Sequence, residues 1–227
     1  MGRKKQTSKD DILDKNKILG TAINLINKEG ITKLSMRNVA TTLDTSAASL
    51  YWHIKNKQEL MQLLSEEIVK KIPYPDSAKD WNEQIVEFGI GYRKALLTIR
   101  DSVEIMTGTI PMTSDRLHLI EYIYQVFMKA GLKTKEIPVA AGMFNNYVLS
   151  FVRDEMAHHE MAKEQGVSLD KINKETSKRF KSLDQSEFPA IVELAELSVN
   201  IYGESLFETG LDILIDGIRK RIEKGLT

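Results

Sequence analysis

The sequence predicts an all-α protein: an N-terminal three-helix unit of helix-turn-helix type, followed by a larger C-terminal helical bundle. Three observations carry this reading. Apolar residues recur at helical spacing over most of the 227 residues, and no strand-like alternation persists. Proline is scarce, and the glycines fall mostly where helices would end. Residues 35–57, SMRNVATTLDTSAASLYWHIKNK, read as two short helices joined by a tight turn, the second ending in an aromatic and basic cluster.

The elements follow in order. Residues 1–11 form a basic arm. The first helix runs from about Ile12 to Lys28, with Ile18, Leu19, Ala22, Ile23 and Ile26 on its apolar face and Gly30 at the cap. Ser35 starts the second helix, which buries Val39, Ala40 and Leu43, and Asp44-Thr45 makes the turn. The third helix begins near Ser46 and carries Leu50, Tyr51 and Ile54. Asn56 and Glu59 make a capping box for a fourth helix, which Pro73 and Pro75 end. Further helices are expected at 80–99, 102–107, 114–130, 135–163, 189–202 and 204–224. The polar stretch 164–187 reads either as a mobile loop or as a solvated helix. The expected division is an arm (1–11), a helix-turn-helix domain (12–57), and a domain for ligand binding and dimerisation (58–227).

Charge is balanced overall, with 32 basic and 32 acidic side chains. It is not balanced locally. Residues 1–57 hold eleven Lys and Arg against five Asp and Glu, a net of +6, so the rest of the chain carries −6. A positive end on a negative body suits a protein that docks one end on a polyanion. The chain has no cysteine, so disulfides and thiolate chemistry are excluded, and a cytoplasmic location fits. No window approaches the roughly 20 apolar residues that span a bilayer, so no membrane partner is expected. HExxH, nucleophile, phosphate-loop and cofactor fingerprints are all missing, so neither an enzyme nor a cofactor is expected.

The third helix has the chemistry of a DNA-reading element. Ser46, Ala47, Ala48 and Ser49 are small enough for close approach to base edges, and the alanine methyls suit thymine methyls. Tyr51, Trp52 and His53 offer polar tips for phosphate and sugar contacts. Lys55 and Lys57 supply charge, the start of the fourth helix offers backbone N–H groups, and Arg37 can reach a base or a phosphate. An ordinary helical hairpin with aromatic surface is the plainer alternative. The arm reads either as a minor-groove thread or as a solubilising tail.

LYWHIKNKQEL resembles the signature of the TetR family of dimeric repressors. The similarity extends through SMRNVATTL and, more weakly, through WNEQIVEFGIGYRKALLTIRD, the GTIP segment and LDILIDGIRKRI. It implies a homodimer, a palindromic double-stranded operator and a small-molecule inducer. The chain also departs from the family pattern. Asp44 stands where many relatives have glycine, and Asp tolerates left-handed backbone better than most residues. Ala47-Ala48 replaces a base-reading Gln-Pro pair of the tetracycline-repressor branch, which implies a different operator.

In that branch a histidine holds magnesium beside the drug. The corresponding position here is Met106, and neighbouring polar positions become Ile110 and Phe88, while Tyr92 stays aromatic. A thioether is a poor ligand for a hard cation, so no metal site and a more hydrophobic or amphipathic effector are expected. The expected pocket lining is Ile68, Phe88, Tyr92, Met106, Thr109, Ile110, Met112, Ile123, Tyr124, Phe127, Phe144 and Asn145. Asp154 matches an acidic residue that reaches across the dimer. Plain core is the alternative for each apolar member of this set. Met143, Tyr147, Phe151, Leu206, Leu211, Leu214, Ile215 and Ile218 are candidates for the dimer seam. Glu155 and His159, with His158 between them, have metal-pair spacing but also suit a solvated helix end. The functional expectation is a ligand-released homodimeric repressor. The alternative is a DNA-binding regulator whose pocket is a filled core.

Overall fold

The computed structural model describes residues 13–199 and 202–226, and among these every regular element is helical. The basic arm, residues 1–11, and Ile12 lie outside them. The chain forms two compact units. One takes the chain up to Lys70 together with residues 98–117. The other takes residues 71–97 and everything from His118 onward.

The first unit begins with α1 (Lys15–Glu29), whose start is set by Asp14: its carboxylate accepts the Lys17 N–H at 2.8 Å. Gly30 ends the helix at φ 84, a conformation that costs a Cβ-bearing residue strain. α2 (Met36–Thr42) starts on Ser35, whose hydroxyl accepts the Asn38 N–H. Asp44 sits at φ 51 in the turn, the left-handed conformation expected there. α3 (Ala47–Tyr51) and α4 (Lys57–Val69) follow. Ile18, Ala22, Ile26, Val39, Leu50, Ile54, Leu60 and Leu64 make the core of this unit. Leu25 is buried in α1, and Ile23 only half-buried, because the true apolar stripe runs through 18, 19, 22, 25 and 26.

The short α6 (Ser102–Thr107) belongs to the same unit and packs on α4. Several polar ties hold it. The Asp101 carboxylate, on a residue at φ 56, accepts the Ile31 N–H at 2.6 Å. The Asn27 side chain accepts the Arg100 N–H at 2.9 Å. From α4, Gln58 donates to the Gly108 carbonyl and Gln62 to that of Ile110.

The second unit is built on α5 (Trp81–Leu96), α8 (Ile137–Glu164) and α11 (Glu204–Leu226), joined by most of α7 (Ser114–Lys129), by α9 (Leu169–Lys181) and by α10 (Pro189–Glu193). Gly91 of α5 has no room for a side chain: a Cβ there would meet the Pro73 ring at 2.7 Å. Between α5 and α8 lies a buried ion pair, in which Arg93 donates to both oxygens of Glu155 at 2.9 and 2.5 Å. The same guanidinium stands 5.8 Å from the Phe207 ring centre on α11. One side chain thus joins three helices.

The polar region 164–187, open between loop and solvated helix in the sequence, contains a helix, α9. Ser168 caps it by accepting the Lys171 N–H, and Lys174 pairs with Asp170 one turn away at 2.7 Å. Conversely, the helix expected over 189–202 stops at Glu193. Leu194 and Leu197 beyond it are exposed, so extending the helix would bury no apolar stripe.

Removing one member of the buried pair strands the other. Arg93→Ala is expected to lower unfolding stability by about 3–5 kcal/mol, while Arg93→Met with Glu155→Leu recovers much of that loss. Urea unfolding of the two variants checks this.

Candidate nucleic-acid interface and effector site

α3 has only five residues, too few to be stable alone. Its ends are therefore held from outside. The Ser46 hydroxyl accepts the Ser49 N–H at 3.1 Å, and the two hydroxyls are bonded to each other. At the far end Asn56 accepts the Glu59 N–H at 2.8 Å, while the Glu59 carboxylate accepts the Lys55 N–H at 2.7 Å. This is a capping box displaced by one residue, since the expected return bond goes to Asn56 itself. In between, Leu50 and Ile54 are fully buried and pin the helix down.

That burial decides the opposite face. Trp52 is 89% exposed and Tyr51 50% exposed, so two adjacent rings form an aromatic patch on the surface. Arg37, Ser46, Ala48, Lys55 and Lys57 are exposed with them, and Ala47, Ser49 and His53 are half-buried. All ten residues singled out in the sequence lie in one compact unit, on α2, α3 and the turn into α4. The surface combines small residues, two large amphipathic rings and three cations. Such a surface can approach base edges and contact phosphate at once.

The residues singled out for an effector divide between the two units. Ile68, Met106, Thr109, Ile110 and Met112 belong to the first. There Ile68 and Met106 are buried, whereas Ile110 and Met112 are exposed. The Thr109 hydroxyl donates to the Ile105 carbonyl and accepts from Arg116 at 2.5 Å. Phe88, Tyr92, Ile123, Tyr124, Phe127, Phe144, Asn145 and Asp154 belong to the second. Phe88 is the hub of an aromatic cluster there. Its ring centre lies 4.7 Å from Tyr122, 5.6 Å from Tyr74, 6.2 Å from Phe144 and 6.5 Å from Tyr92. The Tyr92 hydroxyl donates to the Asn145 side-chain oxygen at 3.3 Å. Phe127 instead meets Trp81, Tyr124 is half-buried and Asp154 is exposed.

Sequence reading missed Tyr74 and Tyr122. Tyr74 sits between two prolines with no periodicity to flag it. Tyr122 was legible in principle: it is half-buried and lies at helical spacing from the buried Leu119 and Val126 of α7. Burial, helped by nearby Glu87, pushes the Tyr122 hydroxyl up to about 12.

Glu155 is taken by Arg93, and the His158 Nδ1 is engaged with the Asp154 carbonyl at 2.9 Å. Among the described residues no three His, Cys, Asp or Glu side chains are grouped to hold a metal ion, and no helix is long and apolar enough to cross a membrane.

Comparison with known proteins places the chain in a class of helix-turn-helix regulators. The family model described as bacterial regulatory proteins, tetR family, matches residues 18–64. The model described as tetracyclin repressor-like, C-terminal domain, matches residues 74–222. The chain belongs to the TetR family, a family of transcriptional regulators and not of enzymes. It is 25% identical to the tetracycline repressor protein class A of Escherichia coli over 92% of both chains. It is 28% identical to an HTH-type transcriptional regulator of Saccharopolyspora erythraea, spanning 66% of this chain and 64% of that one. Among solved structures it is similar to ActR of Streptomyces coelicolor in complex with actinorhodin, with a TM-score of 0.80, 26% identity and coverage of 91% and 95%. It is also similar to BioQ with its natural double-stranded DNA operator, with a TM-score of 0.63, 25% identity and coverage of 92% and 99%.

The contrast between adjacent residues is directly measurable. Leu50→Ala is expected to destabilise the protein by about 2–5 kcal/mol through lost burial and a cavity. Trp52→Ala is expected to change stability by no more than about 0.5 kcal/mol. Denaturant midpoints of the two variants check this.

Proposed function

We propose that the protein is a homodimeric transcriptional repressor that binds a palindromic operator and is released by a small, largely hydrophobic effector. The observation that carries the DNA-binding part is the exposure of Tyr51 and Trp52, at the end of a five-residue helix whose other face is anchored. In this reading Ala47, Ala48 and Ser49 approach base edges and Arg37 meets a base or phosphate. Tyr51, Trp52 and His53 touch the backbone, and Lys55 and Lys57 neutralise phosphates. Five residues read few base pairs, so a two-fold partner is needed to lengthen the site. BioQ, of similar fold, is known with its operator bound.

Dimerisation is supported by an apolar groove of about 800 Å3 along α8 and α11. Val139, Met143 and Ile213 line it with more than half of their surface exposed, as expected of a face covered by a second copy. Of the candidate seam residues, Met143, Tyr147, Leu214 and Ile218 line this groove, whereas Leu211 and Ile215 are buried within their own chain.

The effector part is supported by the cluster around Phe88, where packed rings and the side-chain amides of Asn145 and Gln84 suit a flat aromatic guest held by one or two polar contacts. ActR, of similar fold, is known with actinorhodin bound. In the proposed switch, the effector favours a different position of α6, which is tied to α1 and α4 and so bears on α3. The effector must prefer the form that does not fit DNA, or operator affinity would not change. The full burial of Phe88, Tyr92 and Phe144 also favours a second reading, an effector-free regulator in which these rings are plain core.

Mobility shifts on duplexes from the DNA flanking the coding region, with and without flat aromatic compounds, test the proposal. Loss of the shifted band with compound is expected; a band unchanged by every compound that stabilises the protein in a thermal-shift screen overturns release by an effector. Lys57→Ala is expected to reduce the slope of log affinity against log salt by about 1, and Tyr51→Ala to weaken operator binding without loss of folding. Unchanged binding in both variants removes α3 and its flank from the interface.

A further inference from the structure

A cavity of about 710 Å3 lies in the second unit between the C-terminal half of α8 and α9. It shares no residue with the aromatic cluster around Phe88, and nothing in the effector proposal uses it. One wall is aromatic. The His158 and Tyr202 rings stand 4.3 Å apart, and the bond from the His158 Nδ1 to the Asp154 carbonyl holds that ring in place. α9 adds cations to the lining, because Lys174, Lys178 and Lys181 recur at helical spacing along it and share one face.

The acidic residues of the lining are already committed. Asp170 pairs with Lys174, Glu196 with Lys181, and Glu155 with Arg93. Lys178 makes no ion pair among the described residues. The lining therefore carries one uncompensated ammonium beside two rings in tilted contact. A multiply charged phosphate would call for several cations or backbone N–H groups. A single ammonium, an aromatic wall and a volume suited to small molecules instead match a flat ring with one negative charge.

We infer that this cavity is a second ligand site, which takes an aromatic carboxylate with its ring against His158 and Tyr202 and its carboxylate on Lys178. The inference does not depend on the effector site, and failure of either leaves the other standing.

Isothermal titration of the full-length protein with 2-naphthoate at low salt tests it. Lys178 is exposed, so Lys178→Gln leaves the fold intact. Saturable binding is expected, about tenfold weaker in Lys178→Gln from loss of a charge-assisted contact. The uncharged 2-methoxynaphthalene is expected to bind the wild type comparably weakly. Tyr202→Leu is expected to weaken naphthoate binding, while Asn145→Ala in the Phe88 cluster retains it. No saturable binding at millimolar naphthoate overturns the inference. So does full affinity in both Lys178→Gln and Tyr202→Leu, or loss of binding in Asn145→Ala alone, which would move the ligand to the cluster.

Discussion

The burial of Leu50 and Ile54 is the constraint on which the proposed DNA-reading surface depends. A five-residue helix has no cooperative stability of its own, and its position comes from two side chains sunk into a core made by α1, α2 and α4. The hydroxyl cap at Ser46, the left-handed turn at Asp44 and the Asn56–Glu59–Lys55 bonds fix where the helix begins and ends. With the helix phase settled in this way, Tyr51 and Trp52 have no inward direction available. Their exposure follows from the packing of their neighbours.

A second constraint is the membership of residues 98–117. The chain leaves the second unit after Leu97, contributes α6 and its flanks to the first, and returns at His118. The bond from the Ile31 N–H to Asp101, that from the Arg100 N–H to Asn27, and the glutamine contacts from α4 distribute this attachment over both α1 and α4. The unit that carries α3 is thus closed by a segment whose two ends both run into the other unit. In the proposed switch this covalent continuity is what lets an event in the second unit bear on the first, and no additional contact has to be invoked.

Much of this was legible in the sequence, for identifiable reasons. The helix-turn-helix could be placed because its signals are local: a Ser cap, an Asp in the turn, a capping box and apolar spacing of three and four. The helical periodicity of Trp81–Leu96 and Ile137–Glu164 was equally plain. What escaped was non-local. The pairing of Arg93 with Glu155 joins residues 62 positions apart, and neither position shows its partner in sequence. Tyr74 reaches the Phe88 cluster from a proline-flanked loop. The polar composition of α9 leaves loop and solvated helix both open, and the charge pair one turn apart with the Ser cap decides for the helix. The helix expected over 189–202 stops at Glu193, and Leu194 and Leu197 beyond it are exposed.

Hydrogen exchange by mass spectrometry, with and without a duplex bearing a palindrome from the flanking DNA, tests the central claim most directly. If α3 is the reading element, protection on DNA binding concentrates in the peptides covering residues 46–57. Firm duplex binding with those peptides unprotected, and protection confined to the second unit, would contradict it.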